Sequence, residues 1–178
     1  MGSVAWHVVM SLDGFIAAPG DDMSWVFDLF GPSQTVEEVR DSTGAIIMGR
    51  RTFEVEDRDR AGIYGGEWHG ELFVLTHEPP SNVPEWMTGT FVTDGIEDAV
   101  TKAKRAAGEA NIGLLGATVA RLCLDAGLLD EIIVQVAPVL LGGGVRLFEE
   151  PGGKQIHLEK VGVAESGQVT DLRFRVVR

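Results

Sequence analysis

A chain of 178 residues is long enough to close a full hydrophobic core, and at 44% hydrophobic and 24% charged it has the composition of an ordinary globular domain. Its 27 acidic against 15 basic residues leave a net charge of −12, which argues against a nucleic-acid surface and against an anionic membrane as partner. No apolar stretch approaches the roughly 20 residues of a bilayer span. Met1 to His7 lacks the basic and apolar regions of a secretory leader, and the single Cys123 permits no intramolecular disulfide, so the sequence reads as one cytoplasmic domain, residues 1–178.

Val4 to Met10 is an apolar run of strand length, placed to be a central strand. Ser11 to Gly20 mixes turn formers with apolar residues and reads as an irregular segment lying over another part of the fold. Thr35 to Ser42 has helical character and ends at Gly44. Ala45 to Met48 and Leu72 to Leu75 are short apolar strands joined by a polar crossover, in which the charge run Glu54 to Arg60 reads as a solvated face and its turn. Asp94 offers an N-cap oxygen and Glu97 an acid three residues on, and Ile96, Ala99, Val100 and Ala103 follow at helical spacing, predicting a helix over 96–107.

Ile112 to Leu115 is the next strand, followed by a helix from Ala117 to about Ala126. Val119, Leu122, Cys123 and Ala126 form its predicted buried stripe, with Gly127 just past its end. Glu131 to Leu141 is strand-like, and 156–165 and 169–177 read as a final pair turning near Ser166-Gly167. The alternation predicts an α/β fold with a mostly parallel sheet, covered on both faces, and antiparallel C-terminal strands.

Two stretches carry chemistry. In Ala45-Ile46-Ile47-Met48-Gly49-Arg50-Arg51-Thr52 an apolar strand breaks at a glycine and releases two arginines, which in so acidic a chain suggests a local anion site. Taken alone, such a pair is more often a solvated surface feature. In Ile112-Gly113-Leu114-Leu115-Gly116-Ala117-Thr118-Val119 a strand runs through a glycine into a helix, whose first amides have no intrahelical acceptor and sit at the positive end of its dipole. That is the physical requirement of a pyrophosphate site, although a single such turn is more often a packing device. Neither the G-x-G-x-x-G fingerprint after the first strand nor a P-loop is present. A third strand ends at Leu75-Thr76-His77, and three such ends on one sheet edge would make a coherent NADPH cradle, with arginine suited to the 2′-phosphate.

With Met10 to Ala17, Met48 to Glu54, Leu114 to Ala117, Ala126 to Glu131 and Pro138-Val139-Leu140-Leu141-Gly142-Gly143-Gly144-Val145-Arg146-Leu147-Phe148, the chain resembles the bacterial dihydrofolate reductase-like family that includes the reductase domain of the riboflavin-biosynthesis protein RibD. The resemblance implies a three-layer α/β/α fold and NADPH as hydride donor, with a small heterocyclic substrate similar to 5-amino-6-(5-phosphoribosylamino)uracil. It places Gly49, Arg50, Arg51 and Thr52 on phosphate, Thr76 and His77 near the adenosine, and Gly116, Ala117, Thr118 and Val119 on the pyrophosphate through their backbone. Ser11 to Ala17 would form the floor and flap near the nicotinamide, with Ile16 on the cofactor, Ser11 and Asp13 toward the substrate, and Trp25 beside the cleft. Gly142, in Gly142-Gly143-Gly144, reads either as substrate-binding, on a loop approached by ligand, or as part of a flexible turn used in dimer contact. Asp13 is the candidate general acid, water the alternative, and a turn-capping role for Asp13 stands beside both.

The chain also departs from the family. Counting back from Gly49 to the helix position where dihydrofolate reductases carry an acid gives Ser33 and Gln34, with Glu37 or Glu38 reaching it only by a shift of one turn. Leu115 and Ala117 replace an acid and a glycine of the riboflavin reductases, and their D-x-P-x-L-T segment is absent. A nucleotide-binding protein of the same fold without turnover is therefore the second reading. His7 reads as a structural histidine and Cys123 as a core residue, while His69 and His157 show no ligand spacing, so no metal is assigned. A homodimer through the late strands is the expected assembly.

Overall fold

A computed structural model describes residues 2–27, 29, 33–59, 62–85, 87–149, 153 and 155–178. In chain order the elements are β1 Val4–Ser11, β2 Phe15–Ala17, α1 Ser24–Phe27, α2 Gln34–Ser42, β3 Thr43–Gly49 and α3 Arg50–Asp59. A short turn at Ile63–Gly66 leads into β4 Glu71–Leu75, β5 Gly89–Val92, α4 Ile96–Ala107, β6 Asn111–Leu115 and α5 Ala117–Asp125. The chain closes with β7 Glu131–Ala137, β8 Val145–Arg146, β9 Leu158–Ser166 and β10 Val169–Val176.

The strands that read as unbroken apolar runs are those covered on both faces. They form an eight-stranded sheet in the order β5-β4-β3-β6-β1-β7-β10-β9. Its first six strands are mutually parallel, and β10 and β9 add antiparallel pairs at one edge. On one face α4 and α5 pack Val100, Ala103, Val119 and Cys123 against Trp6, Ile47 and Leu114. On the other, α2, α3 and the Ile63–Gly66 turn bring Val39, Phe53 and Ile63 onto Ala5, Ile46, Met48, Val74 and Ile133. The α/β/α layering and the antiparallel end strands are as expected. Among the described residues, no helix is long and apolar enough to cross a membrane.

The charge run from Glu54 is the outer face of helix α3, so its solvated face is as read and the turn is not; Arg60 lies outside the described residues. Three further expectations need correction. Gly95, at φ +94, takes the N-cap of α4 without any side-chain cap bond, so Asp94 does not cap it. The buried stripe of α5 is Val119, Ala120 and Cys123, because a helix of nine residues ends before Ala126 can face the sheet. Strand β7 stops at Ala137, since Pro138 has no N–H to donate to a ladder. The edge strand β5 had no periodic signal, and Gly89 is essential to it: a Cβ there would fall 2.0 Å from the carbonyl oxygen of Leu72.

Candidate functional site

Parallel pairing brings the C-terminal ends of β1, β3, β4 and β6 to one edge of the sheet, and with them the two glycine turns. The turns touch. A Cβ on Gly116 would lie 2.4 Å from Thr52 Oγ1, and one on Gly49 would lie 3.5 Å from Val119 Cγ2. Gly116 sits at φ +97 as N-cap of α5 and supplies no side-chain cap, so the first amides of this helix face the edge without a side-chain acceptor. Thr118 is exposed beside them, whereas the Val119 side chain is buried in the core and offers the edge only its backbone.

The two arginines diverge. Arg50 donates from Nε to Glu54 Oε1 at 2.6 Å and from a terminal nitrogen to the Glu78 carbonyl at 2.8 Å. Thr76 Oγ1 donates to that same carbonyl at 2.9 Å, so the Thr76-His77-Glu78 loop is tied to the start of α3, with His77 exposed. Arg51 instead donates to Asp21 Oδ2 at 2.5 Å, reaching the segment after β2, where Asp21 has φ +58. Exposed pairs of this kind contribute only about 0–1 kcal/mol. Bidentate phosphate contacts are among the strongest a guanidinium fork makes.

Ser11 and Asp13 form a different kind of structure. Asp13 accepts from Ser11 Oγ at 2.7 Å, from the Leu141 amide at 3.1 Å and from the Gly142 amide at 2.7 Å. These donors, the Ser11 hydroxyl above all, pull its pKa down to about 2. A general acid must hold a proton at working pH. Asp13 is held ionised and clamps the β1–β2 turn to the glycine loop after β7. Gly142 spends its N–H on that clamp, and a Cβ on Gly144 would fall 1.9 Å from the Ala17 carbonyl, so the loop lies flat on β2. Ile16 is buried in the main core cluster, which leaves only its backbone for a cofactor. Trp25 lies on α1 with its indole N–H buried and unpartnered among the described residues, as is that of Trp6. An orphan donor of this kind is where a ligand acceptor fits.

One cluster went unread. On the α2 side of the sheet, His7 Nδ1 meets the Tyr64 hydroxyl at 3.1 Å and its Nε2 meets Gln135 Oε1 at 3.0 Å. Gln135 Nε2 donates to Asp171 Oδ1 at 2.8 Å, Ser166 Oγ donates to Asp171 Oδ2 at 2.9 Å, and Ser166 Oγ lies 3.1 Å from Ser33 Oγ. Ser33, the residue standing where an acid was sought, is the N-cap of α2; the carboxylate in this part of the fold arrives from β10 instead. Burial drives the His7 pKa down to about 4. The sequence signal was present in principle, since Gln135 and Asp171 are polar residues at inward positions of apolar strands, but their pairing is visible only once β7 and β10 are known to be neighbours. Cys123 is inert, its thiol pushed up to about 12 by burial.

Two shallow concavities, about 500 and 440 Å³, are lined by His69, Gly70, Glu71, Thr88 and Gly89 and by residues around Ser3 and Asp130. Both lie at strand N-terminal ends, away from this edge.

Comparison with known proteins establishes the fold and the family. The uncharacterised protein YwjB of Bacillus subtilis is 27% identical over 171 residues, covering 94% of each chain. A solved protein from Shewanella sp. PV-4, assigned to riboflavin biosynthesis, superposes with a TM-score of 0.83 at 21% identity over 99% of both chains. Dihydrofolate reductase from Enterococcus faecalis, solved with NADP(H), shares the fold with a TM-score of 0.65 at 16% identity, over 99% of this chain and 98% of that one. The model of the RibD C-terminal domain family matches residues 3–172, and the chain belongs to that family, on a dihydrofolate reductase-like fold.

Proposed function

We propose that the protein is an NADPH-dependent reductase of a small heterocyclic substrate, similar to the uracil-derivative reductases named among its structural neighbours. The observation that carries this is the contact between the Gly49–Thr52 turn and the start of α5, which sets the turn bearing Arg50 and Arg51 beside helix amides that have no side-chain cap. The residues fit the cofactor: Ala117, Thr118 and Val119 would hold the pyrophosphate by backbone N–H groups, Arg50 or Arg51 the 2′-phosphate, and Thr76 and His77 would border the adenosine. When bound, NADPH supplies the hydride. Ser11 and Asp13 hold the flap and the glycine loop over the cleft, and Trp25 offers its free indole N–H to the substrate. With Asp13 ionised, a proton needed by the substrate comes from water.

A cytoplasmic location belongs to this reading, because an unpaired thiol and a reduced cofactor suit a reducing compartment. So does a homodimer. The edge strand β9 exposes Leu158, Val161 and Val163, an apolar edge that an isolated subunit would leave open to pairing. Light scattering is expected to give twice the 19.2 kDa chain mass, and a strictly monomeric protein would remove this part of the proposal.

The deciding experiment is parallel calorimetric titration with NADPH and NADH, on wild type and on Arg50→Ala. Wild type is expected to prefer NADPH, and Arg50→Ala to lose roughly tenfold to a hundredfold of NADPH affinity with little change for NADH, as for the loss of a charge-assisted bond. Equal losses for both would move Arg50 to the pyrophosphate, and no binding of either would sink the assignment. Tight binding without turnover on any heterocycle would favour the second reading, a nucleotide-binding protein, which the ionised state of Asp13 and the serine at position 33 support.

A further inference from the structure

The buried chain from Asp171 to Tyr64 has a direction. A carboxylate accepting from Gln135 compels the amide to present its NH2 to Asp171, so Gln135 Oε1 faces His7 as an acceptor. His7 must then carry its proton on Nε2, and it is neutral because burial disfavours its charged form. What remains is the Nδ1 lone pair, a buried acceptor on the face of β1 that α2 covers. It lies next to Trp6, whose partner Leu114 is two residues before Gly116.

That acceptor is filled by the Tyr64 hydroxyl at 3.1 Å, and the phenol and imidazole planes run nearly parallel, inclined by 15° with centroids 5.8 Å apart. Tyr64 holds this position from φ +51, ψ +45, a left-handed conformation disfavoured for a bulky side chain. It is flanked by Gly62, Gly65 and Gly66, all at positive φ. Tyr64 is thus a strained aromatic residue between glycines, held by one hydrogen bond to a buried ring.

We infer that Tyr64 is a displaceable plug and His7 Nδ1 a specificity-determining acceptor. A planar heterocycle bearing an N–H, amine or hydroxyl donor on its edge replaces the phenol, lies edge to edge with His7 and donates to Nδ1. A ring without that donor leaves a buried acceptor unpaired and is rejected. The inference rests on the reductase reading for the identity of the occupant, while the plug itself is a property of this chain.

Tyr64 is the only tyrosine, so 3-fluorotyrosine labelling gives a single fluorine resonance. In the NADPH-loaded protein, uracil is expected to shift that resonance to a solvent-exposed position, whereas 1,3-dimethyluracil, the same ring without N–H donors, leaves it unmoved. Tyr64→Gly is expected to bind uracil roughly tenfold more tightly than wild type, and Tyr64→Phe, which keeps the ring and is the safer variant for folding, about fivefold, the size of one net hydrogen bond. Uracil binding with the resonance unmoved overturns the proposal, as does equal affinity for wild type and both variants, or no uracil binding to any of the three. Cofactor binding is read separately by calorimetry: NADPH bound with Tyr64 immobile ends the plug alone, and Tyr64 displacement without any NADPH affinity ends the reductase reading alone.

Discussion

Gly116→Ala is expected to remove measurable NADPH binding and to cost about 2–4 kcal/mol of stability, the sum of a left-handed backbone penalty and of overpacking. Both terms come from the same residue. Its φ of +97 suits glycine, and the new methyl would sit 2.4 Å from Thr52 Oγ1, on the Gly49–Thr52 turn. The methyl forces the turns apart, and the amides of α5 no longer align with the Gly49 turn. Adding Thr52→Ala separates the terms, because the nearest remaining atom is then Thr52 Cβ at 3.7 Å, an ordinary contact. The double variant should regain the overpacking part of the stability in a denaturant melt without regaining cofactor, since the backbone strain remains. If Gly116→Ala binds NADPH as wild type does, the cofactor does not use this turn.

The second large effect is loss of stability in mild acid. His7 is held at about 4 against an ordinary 6.5, with burial the leading cause, the Gln135 bond and Asp171 opposing it and Arg173 adding to it. A histidine whose folded pKa is lowered takes up its proton more readily when unfolded, so stability is full above pH 6.5 and declines as pH falls toward 4. The shift corresponds to about 3 kcal/mol at 1.36 kcal/mol per unit. Urea unfolding at a series of pH values should show this decline, and His7→Gln, less stable at neutral pH, should flatten it. Asp13 acts in a separate window: its carboxylate, lowered from 3.8 to about 2, stabilises above 3.8 and gives that up only in stronger acid. An unchanged slope in His7→Gln would show that some other group carries the acid sensitivity.

Much of the fold was legible because its signals are local. The strands β1, β3, β6 and β7 are apolar runs, and α4 announces itself by Ile96, Ala99, Val100 and Ala103 at helical spacing. The same reasoning failed on β5, which is short, half exposed and held by backbone pairing to β4. It failed also on α3, where a single buried Phe53 lies among charges. Of the two readings of Asp13, acid or turn cap, its three donors favour the turn clamp, and those donors come from Ser11 and from a loop more than a hundred residues away.

By itself the sequence determined the acidic character, the alternation of strands and helices, and the two glycine turns, because each depends on neighbours within a few residues. Only the tertiary structure decided that β6 lies between β3 and β1, which presses Gly116 against Thr52 and turns two weak anion motifs into one edge. It likewise decided that Asp171, Gln135 and His7 come from adjacent strands and that Tyr64 closes their chain. The reason is physical: strand order and register are set by burial and hydrogen bonding between distant segments, and no local pattern encodes which distant segments meet.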